Sequence, residues 1–224
     1  MIGNGGMNMK VLIGQPFHEN GVKQISDEIR LNREVDIVLY PEGYLSSKES
    51  LKHVCNLARE YNVMIITSYR LDNKDRAVII NNYGEKILER AKTPPDENEE
   101  LYSPLVVRHN KMNIGYVLCM EILKGVRDLK RVTDQMEFVA HPIGVGMFSD
   151  EQFEQLIAEA KDIAKTYKTI VIGTSHADGS YRNCGISIPI SYCIDSNGEE
   201  IFIAKSDTRT RIVDIDIKEV ECVF

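Results

Sequence analysis

Ile114-Gly115-Tyr116-Val117-Leu118-Cys119 is a short apolar run that ends in a thiol. Unbroken apolar character over so few residues reads as a strand buried in a sheet. Glu121, Lys124 and Gly125 follow, and Val126, Leu129 and Val132 then fall at helical spacing. A strand running straight into a helix is the unit of a parallel sheet. The thiol at the turn between them lies at the sheet edge, near main-chain N–H groups able to hold an anion. Two upstream strand ends also carry charge: Glu42 in Leu39-Tyr40-Pro41-Glu42-Gly43 and Lys92 in Leu88-Glu89-Arg90-Ala91-Lys92. A carboxylate, an ammonium and a thiol suggest a nucleophile with its base and an electrostatic clamp.

The pattern around this unit occurs twice. In the first half, Lys10 to Pro16 and Val35 to Tyr40 read as strands, with Val22, Ile25 and Ile29 at helical spacing between them. Ser46 and Glu49 form a capping-box pattern before a helix carrying Leu51, Val54, Cys55 and Ala58 on one face. Val63 to Tyr69 and Ala77 to Asn81 are strands joined by the turn-rich Asp72-Asn73-Lys74. The second half repeats the order. Met112 to Leu118 and Phe138 to His141 read as strands, and Ser149 with Gln152 opens a helix whose apolar face includes Phe153, Leu156, Ile157, Ala160 and Ile163. Thr169 to Gly173, Ile186 to Ile194, Glu200 to Ala204 and Arg211 to Ile217 complete the strands, with a hairpin turn at Asn197-Gly198. Two β-α-β-α-β-β halves give two mixed β-sheets, each covered by helices on one face. Packing the uncovered faces together makes an α/β fold, a four-layer α-β-β-α sandwich. Residues 1–9 read as a glycine-rich disordered leader and residues 10–224 as a single domain.

The 224 residues suffice to bury a core, and the net charge of −7 with no basic patch argues against nucleic acid as partner. Lys124, Arg127, Lys130 and Arg131 read as a solvated helix face. No apolar stretch reaches membrane-spanning length. The five cysteines are odd in number and contain no C-x-x-C, so neither a disulfide framework nor a zinc pattern emerges, and a reducing cytoplasm is the expected location. Cys55, Cys184, Cys193 and Cys222 read as structural. The five histidines show no metal-ligand spacing, although His141-Pro142 ends a strand where a pocket forms.

Pro41-Glu42, Lys92, Glu100 and Cys119-Met120-Glu121 together resemble the motifs of the nitrilase superfamily, the carbon–nitrogen hydrolases, in order and over nearly the whole chain. The sequence departs from that family where its usual C-Y-D-x-x-F-P-E is Cys119-Met120-Glu121-Ile122-Leu123-Lys124-Gly125, and its R-A-x-E-N stretch is Ala164-Lys165-Thr166-Tyr167-Lys168. The resemblance implies the same four-layer sandwich and a catalytic set of Glu42, Lys92 and Cys119. In it Glu42 is the general base, Lys92 holds the oxyanion with the main-chain N–H of Met120, and Glu100 orients Lys92 or the attacking water. Glu121 and His141 are the further oxyanion or substrate-binding candidates. It implies a small-molecule amide or nitrile as substrate, a thioester acyl-enzyme, no metal, no organic cofactor, and a homodimer. Three outcomes stay open: an amidase or nitrilase, an acyltransferase that passes the acyl group to an amine or alcohol, and a degenerate member that binds without turnover. The substrate pocket is expected from the loops Tyr44 to Lys48, Pro94 to Ser103 and Ile143 to Ser149, with the acidic stretch Pro94 to Glu100 as a mobile loop at the site. A serine elbow at Gly173-Thr174-Ser175-His176-Ala177 is disfavoured, because Asp178-Gly179-Ser180 makes a turn where a helix is required.

Overall fold

The computed structural model describes residues 9–17, 19, 21–132, 135–178 and 187–223. Most of the expected leader, together with Cys184, Gly179 and Ser180, lies outside the described residues. The first half contains β1 (Lys10–Ile13), α1 (Lys23–Leu31), β2 (Ile37–Leu39), α2 (Lys48–Tyr61), β3 (Met64–Leu71), β4 (Lys74–Ile80) and β5 (Lys86–Ala91). The second contains β6 (Val106–His109), β7 (Met112–Tyr116), a 3₁₀ helix (Cys119–Lys124), α3 (Gly125–Asp128), β8 (Phe138–Pro142), α4 (Asp150–Tyr167), β9 (Ile170–Thr174), β10 (Ile190–Ile194) and β11 (Glu200–Lys205). The chain closes with β12 (Arg211–Asp214) and β13 (Glu219–Cys222).

Two mixed sheets form, in the orders β13-β12-β1-β2-β3-β4-β5 and β11-β10-β9-β8-β7-β6. In each, three consecutive parallel strands (β1, β2, β3 and β7, β8, β9) are flanked by antiparallel ones. The strand alternation explains the layering. Val11, Ile13, Ile37 and Leu39 face the core between the sheets, with Ile114, Tyr116, Phe138 and Ala140 opposite them. Their neighbours Leu12 and Val38 face the other way, onto Ile25, Ile29, Val54 and Ala58 of α1 and α2. Val139 and Val171 likewise face Phe153, Leu156, Ala160 and Ile163 of α4. Three apolar cores between four layers are the expected α-β-β-α sandwich.

The sequence reading departs from the structure at the ends of elements. The expected last strand stops at Asp214, and β12 crosses over to pair with β1 of the first sheet. There β12 takes the position that β6 takes beside β7, so the two sheets correspond strand for strand except for the extra edge strand β13. The helix expected at Val126 to Val132 is broken into a four-residue α3 and a 3₁₀ turn, Leu129–Arg131. The cap of α2 is Ser47, accepting from the Ser50 N–H, and not Ser46. Ser149 caps α4 as read, accepting from the Gln152 N–H. Among the described residues, no helix is long and apolar enough to cross a membrane.

Candidate active site

Glu42 follows β2, Lys92 follows β5 and Cys119 follows β7, so topology brings all three to one edge of the sandwich. Carboxyl ends of parallel strands are where α/β sheets form sites. The Lys92 ammonium donates to Glu42 Oε1 at 2.7 Å, with the Glu42 side chain 4% exposed. The Cys119 thiol and the Glu42 carboxylate are close enough that each shifts the other's titration. Cys119 itself has φ +53°, in the left-handed region that a non-glycine residue occupies only under strain.

Burial governs the protonation of the group. It pushes the Cys119 thiol up to about 12, with the neighbouring Glu42 carboxylate adding to the rise and Lys92 opposing it. The main-chain N–H of Gly144 also contacts the thiol and favours its ionised form. Burial raises the Glu42 carboxyl above its ordinary value, and Lys92 offsets part of that. Burial alone would lower Lys92, but Cys119 and Glu42 beside it outweigh the effect and raise it. The resting combination is a neutral thiol, a carboxylate of raised basicity and a firmly charged ammonium. This arrangement can deprotonate the thiol during attack without storing a thiolate beforehand.

The backbones of Cys119 and Glu42 are each held by a buried histidine. His141 is fully buried; its Nε2 lies 2.8 Å from the Cys119 carbonyl oxygen and its Nδ1 2.5 Å from the Tyr192 hydroxyl. Burial lowers His141 to about 4, so the ring is neutral at physiological pH. A neutral ring donates from Nε2 to the carbonyl and accepts at Nδ1 from Tyr192. Tyr192 lies across Gly173, where an added Cβ would stand 2.4 Å from the ring. His141 thus lies buried beneath Cys119 and not on a pocket wall, the packing place rather than the substrate-binding one its strand-end position also allowed. His176 Nε2 lies 3.0 Å from the Glu42 carbonyl oxygen. Ser175, the residue of the disfavoured elbow, is fully buried and accepts from the Ile190 N–H.

Glu121 is likewise a framework group. Its carboxylate accepts from both terminal nitrogens of Arg90 (2.8 and 2.6 Å) and from the N–H groups of Thr93 and Leu118. Both side chains of the pair are 2% exposed. Arg90 outweighs the burial penalty and lowers Glu121. The pair ties β5, which carries Lys92, to the turn that carries Cys119. Its two oxygens take four donors, so Glu121 reaches the cavity wall as a group already engaged with the framework, in keeping with a structural acid at the turn.

Glu100 is not brought to Lys92. Its side chain is 69% exposed and pairs with Arg131 at 2.6 Å. The acid opposite Lys92 is Asp75, on β4, whose carbonyl accepts the Lys92 N–H at 2.8 Å. Asp75 raises both Lys92 and Glu42. Nothing in the linear sequence singled out Asp75 or Gly144, because strand register and a loop bring them to the site. Met120 follows the nucleophile with its side chain half-exposed. A cavity of about 560 Å³ opens beside Lys92, lined by Pro94, Pro95, Leu101, Met120 and Leu123 among others. The Pro94–Glu100 loop therefore lines the cavity beside Lys92, but its carbonyls are held rather than free as a mobile loop's would be. The cations read as a solvated face hold it instead: Lys124, Arg127 and Arg131 all donate to its carbonyls or to that of Leu101. Among the described residues, no group of three or more His, Cys, Asp or Glu side chains is placed to hold a metal ion.

No family model matches the chain, and no curated protein does. Solved structures do. A variant of the amidase from Nesterenkonia sp. AN1, with the acetamide moiety of fluoroacetamide added at its active-site cysteine, is 13% identical with a TM-score of 0.73, over 94% of this chain and 91% of that one. A carbon–nitrogen hydrolase from Helicobacter pylori G27 is 14% identical with a TM-score of 0.71, over 94% and 90% of the two chains. A second variant of the Nesterenkonia amidase, described as a member of the nitrilase superfamily, is 14% identical with a TM-score of 0.71, over 96% and 95%. The chain has the fold of the nitrilase superfamily, shared with these amidases and carbon–nitrogen hydrolases along nearly its whole length.

Proposed function

We propose that this protein is a cysteine-dependent hydrolase of the non-peptide C–N bond of a small amide, acting through a thioester on Cys119 with Glu42 and Lys92. The observation that carries this reading is one buried carboxylate, Glu42, that accepts from the Lys92 ammonium and stands near enough to the Cys119 thiol for the two to shift each other's titration. A nucleophile, its base and a cation sharing one contact set is the arrangement acyl transfer requires.

The steps follow from the protonation states. Glu42 takes the Sγ proton as the sulfur attacks the amide carbon, and the carbonyl electrons move to oxygen. Lys92 neutralises that oxyanion; losing such a donor costs about 3–4 kcal/mol of barrier in comparable sites. As the tetrahedral centre collapses, the C–N bond breaks and Glu42 returns the proton to the leaving nitrogen. Water then attacks the thioester with Glu42 again as base, and the acid departs as Cys119 regains its proton. The reading is favoured for amides over nitriles by the fold shared with named amidases.

The test is an intact mass spectrum after rapid acid quench of the protein with a pool of small amides and nitriles. An acyl increment mapping to Cys119, absent in Cys119→Ala, with ammonia or amine released, is the expected result. Hydrolysis that survives both Cys119→Ala and Glu42→Gln would overturn the assignment. An absence of adduct and of turnover across the pool would favour the binding protein that does not turn over.

A further inference from the structure

The loop after Lys92 has no secondary structure across Pro94 to Leu101, yet its carbonyls are densely engaged. The Lys124 ammonium donates to three of them: Pro94 at 3.4 Å, Asp96, and Glu99 at 2.9 Å. An ammonium has three N–H donors, so this side chain is saturated by the loop alone. Arg127 adds Glu97 O at 2.8 Å and Glu99 O at 3.1 Å, while its Nε donates to Asp128. Arg131 takes Leu101 O at 2.8 Å, and Asp128 accepts the Leu101 N–H at 2.8 Å.

Lys124 closes the 3₁₀ helix that begins at Cys119. One six-residue element therefore carries the nucleophile at one end and the anchor of the pocket wall at the other. The cavity beside Lys92 is formed between that element and the loop. Lys92 is paired with Glu42 at the inner end, Glu121 is held by Arg90, and Lys124 and Arg127 are committed to loop carbonyls and Asp128, so Leu101, Met120, Leu123 and the two prolines supply the apolar surface a ligand meets beyond Lys92. Glu97 stands at the same cavity and disfavours a second negative charge there.

We propose that this cavity receives an uncharged, apolar acyl chain of the amide, and that Lys124 sets how long that chain can be by docking the Pro94–Leu101 wall onto the nucleophile's own helix. This rests on the reading of Cys119 as the nucleophile. Lys124 is a positioning residue: it acts through the wall and not on the reacting atoms.

The experiment uses α-bromoamides as probes of Cys119 in the full chain. Alkylation rates by bromoacetamide and by α-bromohexanamide are compared, since their ratio cancels the thiol's intrinsic reactivity. In Lys124→Met the ratio of long to short probe is expected to rise about tenfold, the scale of discrimination a packed apolar pocket supplies per group. Amide hydrogen exchange across the Asp96–Leu101 segment should quicken in the same variant, and Lys124→Arg, which can still donate to carbonyls, should recover both. An unchanged ratio in Lys124→Met overturns the proposal. Hexanamide should protect Cys119 from bromoacetamide better than its analogue with a terminal carboxylate; equal protection overturns the apolar assignment. If Cys119 is labelled no faster than Cys193 in the unmodified protein, the hydrolase reading itself fails. Hydrogen exchange then decides the clamp, and unchanged exchange in Lys124→Met overturns it.

Discussion

His141 Nε2 lies 2.8 Å from the carbonyl oxygen of Cys119, and the ring between that oxygen and the Tyr192 hydroxyl is fully buried. Cys119 needs such a hold because its φ of +53° is not a conformation its own side chain favours. The hydrogen bond fixes the strained peptide from below, while the thiol faces Glu42. The histidine is built to stay neutral, which makes it a support and not a proton carrier.

Replacing that support should cost both stability and Cys119 reactivity. In His141→Phe the Cys119 carbonyl loses its donor and the Tyr192 hydroxyl its acceptor, a cost of about 1–3 kcal/mol for each buried group left unpaired. Denaturant unfolding should report that loss, and the rate of Cys119 alkylation should fall with it. The pH sign is fixed too. His141 has a folded value of about 4 against an ordinary 6.5, so the unfolded chain binds its proton first. The wild type should lose stability as pH falls from 6.5 towards 4, and His141→Phe should lack that part of the slope. An unchanged slope would show that the imidazole is already charged in the fold.

If Glu42 is the base proposed, it sets the acid limb of the rate profile. A base raised above 4.5 must lose its proton before it can accept one from the thiol, so kcat/KM should climb with pH through a midpoint above that value. The thiol, at about 12, and the raised Lys92 place the alkaline limb beyond the neutral range. The profile should therefore be a broad plateau with an acidic edge. Glu42→Gln should remove the edge and most of the rate, on the order of 10²–10⁴-fold. A bell centred near neutrality in the wild type would assign the titrations to other groups.

Arg90 and Glu121 offer a test of architecture. Removing one partner of a pair buried to this degree costs roughly 3–5 kcal/mol, because the other charge is left in an apolar surrounding. Glu121→Gln is expected to destabilise by that order in thermal or denaturant unfolding. Glu121 has its folded value lowered, so its contribution is present above 4.5 and fades as pH falls through the folded value. Wild type and variant should converge in stability at low pH. Convergence at high pH instead would contradict the ion pair.

Much of this was legible in one dimension. Apolar runs and helical spacing gave the strands and helices of both halves, and with them the two mixed sheets of the sandwich. Glu42, Lys92 and Cys119 stood out because strand ends are local features of sequence. What escaped was set by contacts between distant segments. Glu100 has the spacing of an active-site acid, but Arg131 draws it to the surface, and spacing carries no record of that competition. The four-residue length of α3 could not be read from Val126, Leu129 and Val132, whose spacing suits a longer helix. Lys124, Arg127 and Arg131 look like any solvated stripe until a loop from the preceding sheet lies across them. The β12 crossover depends on a pairing with β1 at the far end of the chain, which local pattern does not encode.

Asp75 is the sharpest case of register creating chemistry. Arg76 faces Ala91 in the β4–β5 ladder, and the next pair is Asp75 with Lys92, joined by the Lys92 N–H to Asp75 carbonyl bond of 2.8 Å. Residues directly opposed in an antiparallel ladder share one face, so the carboxylate and the ammonium stem project to the same side. Arg70, opposite Asp75 on β3, lies 3.5 Å from its carboxylate and continues the row. The Asp75 charge raises Glu42 and Lys92 alike. Asp75→Asn should therefore lower both, which moves the acidic edge of the rate profile to lower pH and makes Glu42 a weaker base on the plateau. Asp75→Glu, which keeps the charge, should hold the edge near its original position. If the asparagine variant loses rate with the edge unmoved, Asp75 serves the hairpin and not the electrostatics of the site.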